Sequence, residues 1–304
     1  MPLIVRLPNW VGDVMMTLPS LQALHHAGFD LQLFGKKWVL DLLQAFPAKL
    51  IQMPDTLLGA RSAISHLHTK NALLLTNSFS SAVVMRLAGK QPIGYKNDLR
   101  GFLLKHKMTK LRGLHEVVYF WEIAKLATAI CLPHVVWSQS IPHKINLPIN
   151  PACVMKIAKK LQQEAIATSW IVLCPSATGK GKNGISKIWP YWSSLSEILN
   201  QRGIIHVVCP GPGEEARCRE LTPKARFITG LTLSELAAVF SHARLVLAND
   251  SGPMHLAAAV GTSVLGIFGA TNPERTFPWG GNYMGMLGKW PSIDDVLEYV
   301  NGSF

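Results

Sequence analysis

The sequence predicts an α/β protein made of two doubly wound, Rossmann-like domains. Three observations carry that prediction. Short apolar runs of the kind that form buried parallel strands alternate along the chain with helix-forming stretches. The length of 304 residues suits two domains of about 150 residues each. Ile141–Pro151 reads IPHKINLPINP, a proline-rich linker unsuited to helix or central strand, and the alternation begins again after it.

In the first half, Leu3–Leu7 reads as the first strand and Pro8–Gly12 as the loop after it. Thr17–His26 is a helix with Leu18, Leu21, Ala23 and Leu24 on its apolar face. A strand, glycine-containing loop and helix place Gly12 and Asp13 at the carboxyl edge of the sheet, where open α/β folds bind ligands. The loop lacks G-x-G-x-x-G, which argues against a nicotinamide or flavin site. Leu31–Gly35, Leu50–Met53, Ala72–Leu75 and Pro92–Tyr95 continue the strands, with a helix over Phe79–Ala88 after Thr76-Asn77-Ser78. His115–Ala129 is a further helix with Val118, Trp121, Ile123 and Leu126 among its apolar positions. Between them, Lys96, Arg100, Lys105, His106, Lys107, Lys110 and Arg112 accumulate against Asp98 alone, a density that recruits polyanions.

In the second half, Asn150 caps a helix over Ala152–Ala167, and Trp170–Cys174 is a buried strand. Pro175–Gly184, PSATGKGKNG, follows it; the glycines let backbone N–H groups approach phosphate, and Lys180 and Lys182 add charge. It is not a Walker A loop, because Ile185 follows Gly184. Ile204–Cys209 is the next strand and ends at Glu214-Glu215, either of which can accept from ribose hydroxyls or stabilise a helix's first turn. Leu245–Ala248 and Ser263–Phe268 are strands flanking a helix that starts at Ser251 or Gly252, with Met254, Leu256, Ala257, Ala258 and Val260 able to face the sheet. That helix aims free N–H groups at the carboxyl edge and so predicts an anion site. His255, one turn in, can donate to a phosphate or sugar hydroxyl, and Asp250 either caps the helix or binds a sugar hydroxyl. Ser292-Ile293-Asp294-Asp295 opens a last capped helix closed by Gly302.

Composition bounds the function. Hydrophobic residues at 48% and charged residues at 16% exclude a disordered or fibrous chain. The net charge of +12 implies an acidic partner: nucleic acid, an anionic membrane or a phosphorylated substrate. Cys131, Cys153, Cys174, Cys209 and Cys218 contain no C-x-x-C and read as reduced, cytosolic thiols. Arg6 and Asp13 break the pattern of a signal peptide, and no apolar stretch is long enough to span a bilayer, so a soluble protein is expected.

Asn249–Gly269, NDSGPMHLAAAVGTSVLGIFG, continued by Ala270-Thr271-Asn272-Pro273, resembles the C-terminal signature of the ADP-heptose:lipopolysaccharide heptosyltransferases, family nine of the glycosyltransferases. Arg6–Met16, RLPNWVGDVMM, is similar to that family's N-terminal signature in its heptosyltransferase II branch, with Asn9 where a small serine is common. Lys187-Ile188-Trp189-Pro190 resembles its Lys-x-Trp-Pro motif. The resemblance implies a GT-B architecture with two domains facing across a cleft: residues 1–145 binding the acceptor, 151–285 binding ADP-heptose, and 286–304 a helix crossing back onto the first domain. It implies inverting transfer of heptose to the inner core of lipopolysaccharide, onto the first heptose, with other heptosyltransferase types or a GT-B sugar-nucleotide epimerase as alternatives.

By that resemblance Asp13 is the base and Lys187 neutralises the leaving diphosphate. Gly12, Ser176, Thr178, Glu214, Glu215, Leu231, Asp250, Ser251, Gly252 and His255 line the donor, with Glu215 favoured over Glu214 for the nucleoside. Asn9, Lys96, Arg100, Lys105, Lys107 and Arg112 line a phosphorylated, Kdo-containing lipid A core acceptor at the cytoplasmic face of the inner membrane, whose anionic surface the protein touches peripherally. Neither a cofactor nor a metal is expected, since no Asp-x-Asp stands in a matching place. Nucleic acid is not expected either, because the basic segment has no series of stacking aromatics.

Overall fold

The computed structural model describes residues 1–97, 99–110, 112–166, 169–179, 181 and 184–303. It forms two compact units, Met1–Pro142 and His143–Phe304, so the boundary falls inside the proline-rich stretch.

The first unit holds a sheet of β1 (Pro2–Arg6), β2 (Asp30–Gly35), β3 (Lys49–Gln52), β4 (Asn71–Leu74), β5 (Gln91–Lys96) and β6 (His106–Thr109), ordered β3-β2-β1-β4-β5-β6. Every pairing is parallel. The helices are α1 (Val11–His26), α2 (Lys37–Leu42), α3 (Leu57–Ser65), α4 (Phe79–Leu87) and α5 (Glu116–Cys131). Ala60 and Ile64 of α3 join Ala82, Val84 and Met85 of α4 in a core with Ile4, Ala72 and Leu74 of the strands. The longest helices, α1 and α5, pack on each other, α1 also against β2 and α5 against β4 and β5.

Two local readings change. The helix expected from Thr17 starts at Val11, with Asp13 in its first turn. Pro19 therefore lies inside α1, and the Met15 carbonyl loses its ordinary helical partner. Burial of α1 residues from Gly12 to Leu24 outweighs that loss. The basic segment, read only as a cluster of charge, contributes His106–Thr109 as the edge strand.

The second unit repeats the pattern. Its strands are β7 (Trp170–Cys174), β8 (Ile205–Val208), β9 (Arg226–Phe227), β10 (Leu245–Asn249), β11 (Val264–Ile267) and β12 (Asn282–Met284), all parallel, in the order β12-β11-β10-β7-β8-β9. Counted from its own start this is again 3-2-1-4-5-6, with the order reversing between β7 and β10. The helices are α6 (Pro151–Gln163), α7 (Trp192–Gln201), α8 (Glu215–Leu221), α9 (Leu233–His242), α10 (Gly252–Ala259) and α11 (Ile293–Asn301). Asn150 caps α6 by accepting from the Ala152 N–H at 2.9 Å. Ser292 and Asp295 form a capping box on α11. Val296, Leu297 and Val300 of α11 are buried in the core of the second unit with Trp189, Trp192 and Leu195. The last helix thus uses its apolar face there, where the sequence reading had assigned it to the first domain.

The five cysteines are free thiols. Burial pushes the Cys209 thiol up to about 12 and the Cys218 thiol up to about 11, so neither is a nucleophile at neutral pH. No helix among the described residues is long and apolar enough to cross a membrane.

Candidate active site

In the second unit the site grows from Asn249, the last residue of β10 and fully buried. Its side-chain oxygen accepts from the Trp189 backbone N–H at 3.0 Å and from Trp192 Nε1 at 3.2 Å. Its amide nitrogen donates to the Pro175 carbonyl at 2.7 Å, fixing the start of the loop after β7. Trp189 is also buried and donates from Nε1 to the Pro291 carbonyl at 3.0 Å. With Trp189 anchored at both ends, Lys187 two residues earlier has a defined place: Nζ donates to Asp250 Oδ2 at 2.7 Å.

Asp250 Oδ2 also accepts from Thr271 Oγ1 at 2.8 Å. Its carboxylate is therefore turned toward Lys187 and Thr271, and it does not cap α10, as one sequence reading held. The N-cap is Ser251, which makes no side-chain cap bond. The Ser251 hydroxyl is buried without a protein partner among the described residues. Pro253 lies in the first turn and carries no N–H. The N-cap side chain thus leaves the opening N–H groups of α10 without a cap bond among the described residues, and the helix dipole makes that end favourable for an anion. His255 is buried one turn further in.

The loop after β7 is tied to its neighbours. Ser176 Oγ donates to Glu214 Oε1 at 2.7 Å, and Glu214 Oε2 accepts from the Gly211 N–H at 3.1 Å. Glu215 instead meets Arg219 at 2.7 Å on the exposed side of α8. Of the two glutamates, Glu214 is the one joined to the loop after β7. Thr178 is exposed, and Leu231 is half-buried just before α9. Gly181 has no room for a side chain, because a Cβ there would meet the Ala270 carbonyl oxygen at 2.2 Å. Lys180 and Lys182, expected to add charge, lie outside the described residues.

In the first unit, Gly12 is buried and Asp13 half-buried in the first turn of α1. Asn9 accepts from Arg6 Nη2 at 2.7 Å, and Arg6 also donates to the Leu7 carbonyl. The residue that replaces the expected serine therefore braces the loop ahead of α1. Burial lowers the Arg6 pKa. Lys96, Lys105, Lys107 and Arg112 are exposed. Arg100 is different: it is 0% exposed. It donates from Nε to the Tyr95 carbonyl at 2.9 Å, from Nη1 to the Thr76 carbonyl at 2.6 Å and from Nη2 to Asn77 Oδ1 at 3.1 Å. The expectation that Arg100 itself binds acceptor is corrected accordingly. Its guanidinium faces inward and holds together the loops after β4 and β5.

Residues 60–296 match glycosyltransferase family 9 (heptosyltransferase). The chain belongs to that family. This glycosyltransferase is 27% identical over 298 residues to lipooligosaccharide heptosyltransferase 2 of Haemophilus influenzae, a match covering 89% of the chain and 84% of that protein. Its fold superposes on E. coli ADP-heptose lps heptosyltransferase II with a TM-score of 0.82 at 21% identity, over 100% of this chain and 98% of that one. E. coli heptosyltransferase WaaC with ADP matches with a TM-score of 0.76 at 18% identity, over 100% of both chains. The glycosyltransferase thus has the GT-B fold of these enzymes.

Sequence reasoning missed three supports of the site: Asn249 as a buried anchor, the Trp189 backbone N–H and Trp192 indole that donate to it, and Thr271 on Asp250. The signal for the first was an asparagine closing an otherwise apolar strand, a position where a side-chain amide must find several partners.

Proposed function

We propose that this glycosyltransferase moves L-glycero-D-manno-heptose from ADP-heptose, with inversion, onto the first heptose of the lipopolysaccharide inner core, as the name of heptosyltransferase II relatives implies. The observation that carries the reading is the ion pair of Lys187 with Asp250 beside the uncapped start of α10. A departing nucleoside diphosphate gains negative charge as the sugar–phosphate bond breaks. An ammonium and a helix N-terminus are the groups that stabilise it without rearranging. In this reading Ser176, Thr178, Ser251, Gly252 and His255 surround the diphosphate and sugar. Glu214 accepts from the ribose, and Leu231 contacts adenine.

Inversion by single displacement requires a base for the acceptor hydroxyl. Asp13 takes that role, and Gly12 beside it lets the donor come close to the start of α1. Lys96, Lys105, Lys107 and Arg112 attract the phosphorylated, lipid-anchored core, and the same charge favours contact with an anionic membrane surface on the cytoplasmic side. The charge on the leaving group is handled by Lys187 and α10, with no divalent ion.

The deciding experiment is mass spectrometry of heptose transfer from ADP-heptose to truncated core acceptors, with and without the first heptose. One added heptose on the acceptor that carries the first heptose, unchanged in excess chelator, is the expected result. Transfer to the acceptor lacking it would assign the enzyme to a different step. Conversion of the donor alone would make it an epimerase, and loss of turnover in chelator restored by a divalent cation would overturn the metal-free account.

A further inference from the structure

The first sheet reverses its strand order between β1 and β4, and at that switch point the loops after the two strands lie side by side: the Leu75 N–H donates to the Arg6 carbonyl at 3.0 Å. The loop after β1 leads to Asp13. The loop after β4 carries Asn77, a half-buried residue to which no role has so far been given.

Asn77 Oδ1 accepts two hydrogen bonds, from Arg100 Nη2 at 3.1 Å and from Tyr119 Oη at 2.9 Å. Both donors are themselves held. Arg100 is buried and fixed by two backbone carbonyls. Tyr119 stacks on Tyr95 with ring centroids 4.0 Å apart, and the Tyr95 hydroxyl donates to the Tyr119 carbonyl at 2.7 Å. A guanidinium has only donors to offer, so the oxygen of the Asn77 amide must face it and the NH2 group must face away. Among the described residues Asn77 Nδ2 makes no hydrogen bond to the protein, and it is not among the buried polar atoms left without a partner. It is an oriented donor with access to solvent at the ligand edge of the sheet.

We infer that Asn77 Nδ2 donates to an oxygen of the acceptor saccharide, a hydroxyl or a phosphate oxygen close to the reacting alcohol, and that Arg100 and Tyr119 are its positioning residues. The inference rests on the reading above in taking the first unit as the acceptor side. The same geometry explains why a buried arginine occurs within the basic segment: it reaches the acceptor through an amide instead of touching it.

Asn77→Asp is the informative variant. It keeps an oxygen for Arg100 and Tyr119 but turns the outward donor into an acceptor. Calorimetry of a de-acylated, water-soluble core oligosaccharide is expected to show acceptor affinity weakened about 10- to 100-fold, the range for losing one such hydrogen bond and facing two acceptors together. ADP affinity should stay within about twofold, and the thermal midpoint should not fall. Tyr119→Phe, which removes one of the two orienting donors, should shift acceptor affinity in the same direction by less. A larger loss for the phosphorylated oligosaccharide than for its dephosphorylated form identifies a phosphate oxygen; equal losses identify a hydroxyl. Acceptor affinity unchanged in Asn77→Asp, an equal loss in ADP affinity, or no oligosaccharide binding by the unsubstituted protein would each overturn the inference. Oligosaccharide binding without any heptose transfer by the unsubstituted protein would overturn the transfer reading and leave the assignment of Asn77 standing.

Discussion

Lys187 Nζ stands 2.7 Å from Asp250 Oδ2, and Thr271 Oγ1 donates to that same oxygen at 2.8 Å. The pair is largely shielded from solvent, with side-chain exposures of 23% and 10%. Asp250 thus aims an ammonium that would otherwise sample many rotamers, and Thr271 keeps the carboxylate from following the lysine outward. Lys187→Ala is expected to weaken ADP-heptose binding and to lower turnover together, each by roughly 10- to 100-fold, because a charge-assisted contact to the leaving group is lost in both ground and transition states. Calorimetric affinity for ADP-heptose equal to that of the parent would remove Lys187 from the donor site.

Asp13 tests the other half of the reaction. Asp13→Ala is expected to reduce transfer by about 10²- to 10⁴-fold, the range for losing a general base, with ADP affinity unchanged because every side chain assigned to ADP lies in the second unit. Near-parental turnover would exclude Asp13 as the base.

Asn249 is predicted to matter for folding before it matters for chemistry. Asn249→Leu keeps the volume but leaves the Trp189 N–H and Trp192 Nε1 without their acceptor inside the core. A loss of about 2–3 kcal/mol in urea unfolding is expected. A change below about 0.5 kcal/mol, within the spread of ordinary surface substitutions, would show that water replaces the amide at little cost.

Glu235 gives a pH signature remote from the site. The Lys156 ammonium and then the Thr232 N–H hold its carboxyl below the ordinary value of 4.5. Its contribution to stability is complete above that ordinary value and fades as pH falls through the lower value of the folded state. Thermal melts of Glu235→Gln should therefore lie below the parent at neutral pH and converge with it as the pH falls through the lowered folded-state value. Because Lys156 is 70% exposed, added salt should narrow the neutral-pH gap. A gap independent of pH would show that the carboxylate's charge plays no part.

Nine of the twelve strands among the described residues were legible because each is a short apolar run, and parallel strands covered on both faces can hardly read otherwise; β6, β9 and β12 carry His106, Lys107, Arg226 and Asn282 in place of such a run and went unread. Their ends shifted by a residue or two, as at Asn249, where a polar side chain closes β10. Four short helices, α2, α3, α7 and α8, went unread. α2 spans Lys37–Leu42 and buries Val39 and Leu42 alone, too little to show as a period. The helix read from Thr17 on its apolar face starts earlier, at Val11, and holds Pro19 inside it because its residues are buried from Gly12 onward. At the site, turn and capping residues after an apolar strand identified the start of α10, and the family resemblance identified Lys187. Direction was beyond reach: which of two adjacent glutamates turns inward, or whether a basic residue faces solvent as Lys96 does or backbone carbonyls as Arg100 does, depends on partners far away in the chain.

The close fit of Gly181 against Ala270 limits how this enzyme can be remade. A library intended to accept unfamiliar nucleotide sugars will yield misfolded members wherever it diversifies residue 181, since any larger side chain collides with backbone and not with a yielding neighbour. Thr178, exposed in the same loop, is free of that penalty. Evolution in the laboratory should therefore find its footholds at the outer bend of the loop and leave the inner bend as it is.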